Sequence, residues 1–179
     1  MPILPPQSLE FISRSAEQTR RMGMRLGTLL GVGDVVCLTG DLGAGKTTFV
    51  QGLASGWGSP DQVTSPTFVL VNVYRRAGKP PERGSSTGAC VYHLDAYRLM
   101  GSAEQVLAQV IDLDLETMLA TGVLVVEWAE RVQAALPDEY LQVCLKWVDE
   151  NQRDMTFVAH GRRFTRILSA LRKHTYGVE

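Results

Sequence analysis

An apolar, largely β-branched run, Val35-Val36-Cys37-Leu38-Thr39, passes directly into Gly40-Asp41-Leu42-Gly43-Ala44-Gly45-Lys46-Thr47, after which a helical pattern runs from Thr47 to Ala54 and stops near Gly56. Few local arrangements satisfy this order. The run suits a strand buried on both faces, which belongs to a parallel sheet covered by helices. The glycines permit a loop tight enough to turn successive backbone amides inward, and a helix N-terminus behind it adds the positive end of its dipole. The pattern G-x-x-x-x-G-K-[ST] between strand and helix marks a phosphate-binding loop. Lys46 is then expected to reach the β- and γ-phosphates of a nucleoside triphosphate, and the Thr47 hydroxyl to take one position on Mg2+. The expected nucleotide contacts are Asp41, Leu42, Gly43, Ala44, Gly45, Lys46, Thr47 and Thr48.

Before the loop, Ser15-Ala16-Glu17-Gln18 has the form of a capping box, opening a helix that ends at Gly31. After it, Phe68 to Tyr74 and Cys90 to Tyr97 read as strands, with a segment rich in Gly, Pro, Arg and Ser between them, so residues 75–90 are expected as an inserted hairpin tip. Ser102 to Val110 and Asp114 to Ala120 read as helices, and Val123-Leu124-Val125-Val126 is a second buried strand. A helix is expected from Ala129 to Leu136, stopped by Pro137. Tyr140 to Val148 and Met155 to His160 alternate as antiparallel strands, and a basic amphipathic helix closes the chain over residues 162–175. The expected fold is α/β: a three-layer, P-loop NTPase-like domain with a mostly parallel sheet and an antiparallel extension. At 179 residues with no long linker, the chain reads as one domain over 1–179.

Magnesium at such loops takes one or two protein carboxylates, so an acidic residue is expected at the end of a buried strand. Glu127 follows Val123 to Val126, and Asp95 follows Val91-Tyr92-His93-Leu94. Glu127 is the metal candidate beside Thr47. Asp95 is readable as a catalytic group or as a surface partner of Arg98. Thr64-Ser65-Pro66-Thr67 is readable as an ordinary turn or as a segment sensing the γ-phosphate. No Asn-Lys-x-Asp segment of the guanine-reading kind occurs, so adenine is the expected base.

Composition narrows the partners. A net charge of -1 argues against a broadly nucleic-acid-binding surface. Cys37, Cys90 and Cys144 lack metal-site spacing and an even count, and read as reduced core residues of a cytoplasmic protein. No run of about 18 apolar residues occurs, so no membrane partner is expected.

Taken together, GDLGAGKTTF, TSPTF, YHLDAYRL and LVVEWAERV stand in an order and spacing that resembles the TsaE family of bacterial ATPases, from about Gly33 to Pro137. The resemblance implies ATP binding and hydrolysis with Mg2+ in an accessory role for threonylcarbamoyladenosine formation in tRNA. It also implies partnership with TsaB and TsaD, tRNA being met through the complex. Carried over, the resemblance implies that Lys46 neutralises phosphate charge, Thr47 and Glu127 hold magnesium, Asp95 acts near the γ-phosphate or its metal, and residues 64–67 form the sensing loop. Trp128 matches the family's Trp after the acidic residue. The long 75–88 insertion and the basic run Arg162, Arg163, Arg166, Arg172 and Lys173 depart from the compact pattern. That helix either packs and solvates its charges or meets tRNA or a partner.

Hydrolysis by positioning and electrostatics is the expected chemistry, with Lys46, Asp95 and Glu127 as the catalytic set. No arginine finger is evident. Arg98, Arg131 or a partner residue could serve, and slow turnover is expected of the chain alone. The rivals are a small-molecule or nucleoside kinase, with Arg75, Arg76 and Arg83 as lid arginines, and a non-catalytic nucleotide switch.

Overall fold

The computed structural model describes residues 7–65, 70–78 and 89–177. One seven-stranded sheet is built from β1 (Ser8–Ser13), β2 (Val35–Thr39), β3 (Val71–Arg75), β4 (Cys90–Asp95), β5 (Gly122–Glu127), β6 (Tyr140–Trp147) and β7 (Arg153–His160). Its order is β1-β7-β6-β2-β5-β4-β3. The four central strands, β6, β2, β5 and β4, are parallel to one another, whereas β3 pairs with β4, β7 with β6 and β1 with β7 in antiparallel register. The parallel centre with antiparallel flanks is the arrangement expected from β-branched runs at β2 and β5 and alternation at β6 and β7.

Helices cover both faces. One face carries α1 (Ala16–Leu29), α2 (Lys46–Trp57) and α5 (Arg162–Tyr176), whose Met22, Leu26, Phe49, Leu53, Phe164 and Leu168 join Val36, Val125, Val143 and Phe157 of the sheet in one apolar core. The other carries α3 (Ala103–Asp112) and α4 (Leu115–Thr121), with Val106, Val110 and Leu115 against Val35, Leu124 and Val126. Alternate residues of each central strand thus serve alternate cores. Cys37 belongs to the second core, where burial first and the Glu130 charge second push its thiol up to about 12.

The helix α2 that follows the glycine-rich loop is fixed by backbone contact with α1. A Cβ added to Gly23 would run into the Phe49 carbonyl oxygen, and one on Gly27 into that of Leu53. Reciprocally, Gly52 faces the Arg20 carbonyl and Gly56 that of Met24. Two pairs of glycines four residues apart, one on each helix, therefore let the helices meet backbone to backbone, which no larger side chain permits. That contact locates Lys46, the first residue of α2.

One expectation is corrected and two features are added. Residues 129–136 are not an α-helix but two 3-10 turns, Ala129–Arg131 and Gln133–Ala135. Arg131 is drawn aside to donate to the carbonyls of Tyr97 (3.1 Å) and Leu99 (2.8 Å), and fewer than two turns remain before Pro137, too short a stretch to sustain a helix. β1 was not expected from the sequence. Its Ser8 and Glu10 carbonyls accept from Arg172 (2.6 Å) and the Tyr176 hydroxyl (2.7 Å), which stop the sheet edge from pairing further. The α5 basic run is accordingly not all solvated charge: Arg172 closes this edge, and Arg163 pairs with buried Asp34 at 2.9 Å. The expected hairpin tip at 79–88 lies outside the described residues, as do Pro66 and Thr67.

Candidate nucleotide site

Because β2, β4 and β5 run parallel, their carboxyl ends open on one edge of the sheet, where ligands of open α/β folds bind. The loop leaves β2 at Thr39. Register sets Leu38 beside Glu127 and Glu127 beside Asp95, so the loop and both carboxylates are neighbours. Thirty-two positions apart along the chain (127 minus 95), the two acids end adjacent strands.

The loop's turns rest on glycine: Gly40, Gly43 and Gly45 have φ of 141°, 80° and 103°, a region other residues rarely enter. Leu42 is 98% exposed and Ala44 fully buried, so the loop presents backbone rather than side chains between them. Lys46 is 8% exposed, and its ammonium donates to the carbonyls of Gly40 (2.6 Å) and Asp41 (3.1 Å), which aims it back along the loop. It also stands 3.9 Å from Glu127 Oε2. Thr47 and Thr48 are half-buried in the first turn of α2, and Thr48 lines a cavity of about 60 Å³ with Gly45, Thr19 and Arg153.

Glu127 is 6% exposed, and its Oε1 lies 2.9 Å from His93 Nε2. Asp95 Oδ1 accepts from the Tyr97 amide at 3.1 Å, and its Oδ2 faces Arg98 Nε at 3.8 Å. Both alternatives raised for Asp95 therefore have a geometric basis: it caps a 3-10 turn beside Arg98, and it adjoins Glu127. Burial first, with Glu127 adding to it, raises the Asp95 carboxyl above its ordinary 3.8, against the lowering pull of the Tyr97 amide and Arg98.

Trp128 has φ 57° and ψ 42°, a left-handed conformation that costs a bulky residue roughly 1–2 kcal/mol. It ends β5 abruptly and sets the indole 5.6 Å from Lys46 Nζ and 5.3 Å from the Tyr97 ring. Backbone strain of this kind gathers at functional sites.

The donor set suits a magnesium nucleotide. Among the described residues no group of three or more His, Cys, Asp or Glu could hold a metal by itself. One buried carboxylate, a threonine hydroxyl and a glycine-rich loop before a helix N-terminus are a donor set that fits an ion keeping its waters and sharing its ligands with phosphate. Arg131 is occupied by backbone carbonyls and Arg76 lies over the Trp57 ring at 4.9 Å, so neither reaches toward the loop as a finger or lid. Arg83 lies outside the described residues. The residue that sequence reasoning passed over is His93. Its signal was the H-x-D spacing, which puts His93 and Asp95 on one face of β4.

A family model described as Threonylcarbamoyl adenosine biosynthesis protein TsaE matches residues 13–155. The chain is 34% identical to the tRNA threonylcarbamoyladenosine biosynthesis protein TsaE of Bacillus subtilis (strain 168), over 94% of this chain and 96% of that one. It is 41% identical to the protein of the same name from Treponema pallidum (strain Nichols), over 83% and 98%. The crystal structure of Bacillus subtilis YdiB matches with a TM-score of 0.69 at 30% identity, covering 93% of this chain and 95% of that chain. Among the described residues no helix is long and apolar enough to cross a membrane. With the family's model spanning most of its length and relatives matched almost end to end, this chain belongs to the TsaE family.

Proposed function

We propose that this chain binds ATP with magnesium and hydrolyses it at the Gly40–Thr47 loop, as the accessory ATPase of threonylcarbamoyladenosine formation in tRNA, with TsaB and TsaD homologues as partners. The observation that carries the reading is the convergence of Lys46, Glu127 and Asp95 at one sheet edge. Their type and placement are those of phosphoryl chemistry run by positioning and charge. The names of the curated relatives support the tie to tRNA.

Lys46 supplies a positive charge that needs little reorganisation, because burial and two carbonyls already hold it. Thr47 and Glu127 would hold magnesium, which would neutralise phosphate charge. Loop amides and the α2 N-terminus bind phosphate oxygens. Asp95, at the neighbouring strand end, orients the attacking water. With Arg131 and Arg76 engaged elsewhere, turnover by the chain alone is slow, and Arg98, beside Asp95, or a partner residue supplies further positive charge.

The test is to quantify threonylcarbamoyladenosine in tRNA after depleting this protein, with rescue by the native chain and by Lys46→Ala. Rescue by the native chain alone supports the reading; equal rescue by both rejects it. Phosphate release measured with and without TsaB and TsaD then checks the partner dependence, equal rates counting against it.

A further inference from the structure

His93 is fully buried, and the chemistry above gives it no task. It is nevertheless held at both ring nitrogens. Nε2 lies 2.9 Å from Glu127 Oε1, and Nδ1 lies 3.4 Å from the Tyr74 hydroxyl. That hydroxyl, on a residue only 4% exposed, donates to the carbonyl of Thr64 at 3.1 Å. A carboxylate only accepts, so the His93 Nε2–H donates to Glu127, which leaves Nδ1 of the neutral ring as an acceptor that shares the Tyr74 hydroxyl proton with the Thr64 carbonyl. Four groups on four separate segments are thus joined in line: the end of β5, β4, β3 and the irregular stretch between α2 and β3.

The two ends of this line are what give it meaning. At one end, His93 occupies Oε1 of Glu127, which leaves Oε2 as the oxygen facing Lys46 at 3.9 Å. At the other end, Thr64 is exposed and outside regular structure, and among the described residues its carbonyl is held from β3, by Tyr74 and by Asn72 Nδ2 at 3.3 Å. A histidine needed for packing alone would not require a carboxylate of the phosphate site at one nitrogen and a tether to an exposed segment at the other. The charged and titratable groups around the ring are Glu127 from β5, Tyr74 from β3 and Asp95 from its own strand.

We infer that His93 and Tyr74 form a relay that positions Glu127 and couples occupancy of the phosphate site to the Thr64–Ser65 segment. The inference rests on the nucleotide reading above. Both are positioning residues: neither touches the expected nucleotide, and each acts through a neighbour. Through this line, a shift of Glu127 toward a bound magnesium nucleotide draws the imidazole with it and tightens the hold of Tyr74 on Thr64.

Hydrogen exchange at backbone amides, with and without ATP and magnesium, tests the relay on the full chain and on Tyr74→Phe, which removes one hydroxyl and keeps the ring. In the native chain, amides of Gly43 to Thr47 and of Thr64 and Ser65 should both slow on adding ATP and magnesium. The latter should slow about fivefold, the effect of roughly one hydrogen bond. In Tyr74→Phe the loop amides should slow as before and Thr64 and Ser65 should not. Equal slowing of Thr64 and Ser65 in both proteins overturns the relay, as does no slowing there in the native chain when the loop responds. No response even at the loop overturns the nucleotide reading and the relay with it. The imidazole nitrogen resonances of His93, read in the native chain, provide a check that needs no variant. They should move on adding ATP and magnesium; unmoved resonances with a responding loop overturn the relay.

Discussion

Lys46 Nζ and Glu127 Oε2 lie 3.9 Å apart, both side chains less than a tenth exposed. Neither charge is solvated, so each depends on protein partners: Lys46 on two loop carbonyls, Glu127 on His93. Glu127→Gln preserves shape and removes the charge. It should bind ATP in the absence of metal at least as well as the native chain, lose the gain that magnesium confers, and hydrolyse about 10²–10³ times more slowly. Binding titrations with and without magnesium, together with phosphate release, measure all three; native hydrolysis in the variant would remove Glu127 from the site.

Asp95 allows stability and activity to be separated. Its carboxyl is raised by burial first and by Glu127, so its charged form is the disfavoured one in the fold. Between the ordinary value and the raised one, the native chain holds a proton that the unfolded chain has lost, and above that window the charge subtracts from stability. Asp95→Asn keeps an acceptor for the Tyr97 amide. It should melt above the native chain at neutral pH, with the difference vanishing below the ordinary carboxylate value, while hydrolysis falls. Thermal melts across pH check the sign; a variant less stable at neutral pH contradicts it.

Gly52→Ala tests how α2 is located. The added methyl would meet the Arg20 carbonyl, a backbone atom that cannot swing away. A loss of about 1–3 kcal/mol is expected from such overpacking. Denaturant unfolding measures it, and nucleotide affinity should fall as well, because the start of α2 carries Lys46 and Thr47. An unchanged midpoint would mean the helices can separate freely.

What the sequence revealed and what it hid divide along the range of the interactions involved. β2, β5 and the loop between β2 and α2 were legible because β-branched runs and glycine spacing act within a few residues. The α1/α2 contact was written in Gly23, Gly27, Gly52 and Gly56, but only the pairing of the two helices gives that spacing its sense. β1 was hidden because its partner, β7, is more than a hundred residues away. The residues after Trp128 have the composition of a helix, and it is the Arg131 contacts with Tyr97 and Leu99 that divert them. Lys46, Asp95 and Glu127 were each legible as candidates from strand ends and motif; their adjacency came from sheet order. His93 was given no role because its partners lie on β5 and β3.

The basic face of α5 should divide under mutation. Arg163→Ala removes a pair of hydrogen bonds, at 2.9 and 3.1 Å, from buried Asp34 and should cost about 1–3 kcal/mol. Arg166, exposed on the same helix, should change stability by less than about 0.5 kcal/mol when made Ala. Denaturant unfolding of both variants decides; equal losses would show that Asp34 does not depend on Arg163.

Titration of ATP with magnesium into the native chain and into Lys46→Ala is the most direct measurement of whether the Gly40–Thr47 loop is a nucleotide site. The native chain should bind, and the variant should bind at least about thirtyfold more weakly, as expected when a buried, hydrogen-bonded charge is removed from a contact. Equal affinities, or no binding by the native chain, would contradict it.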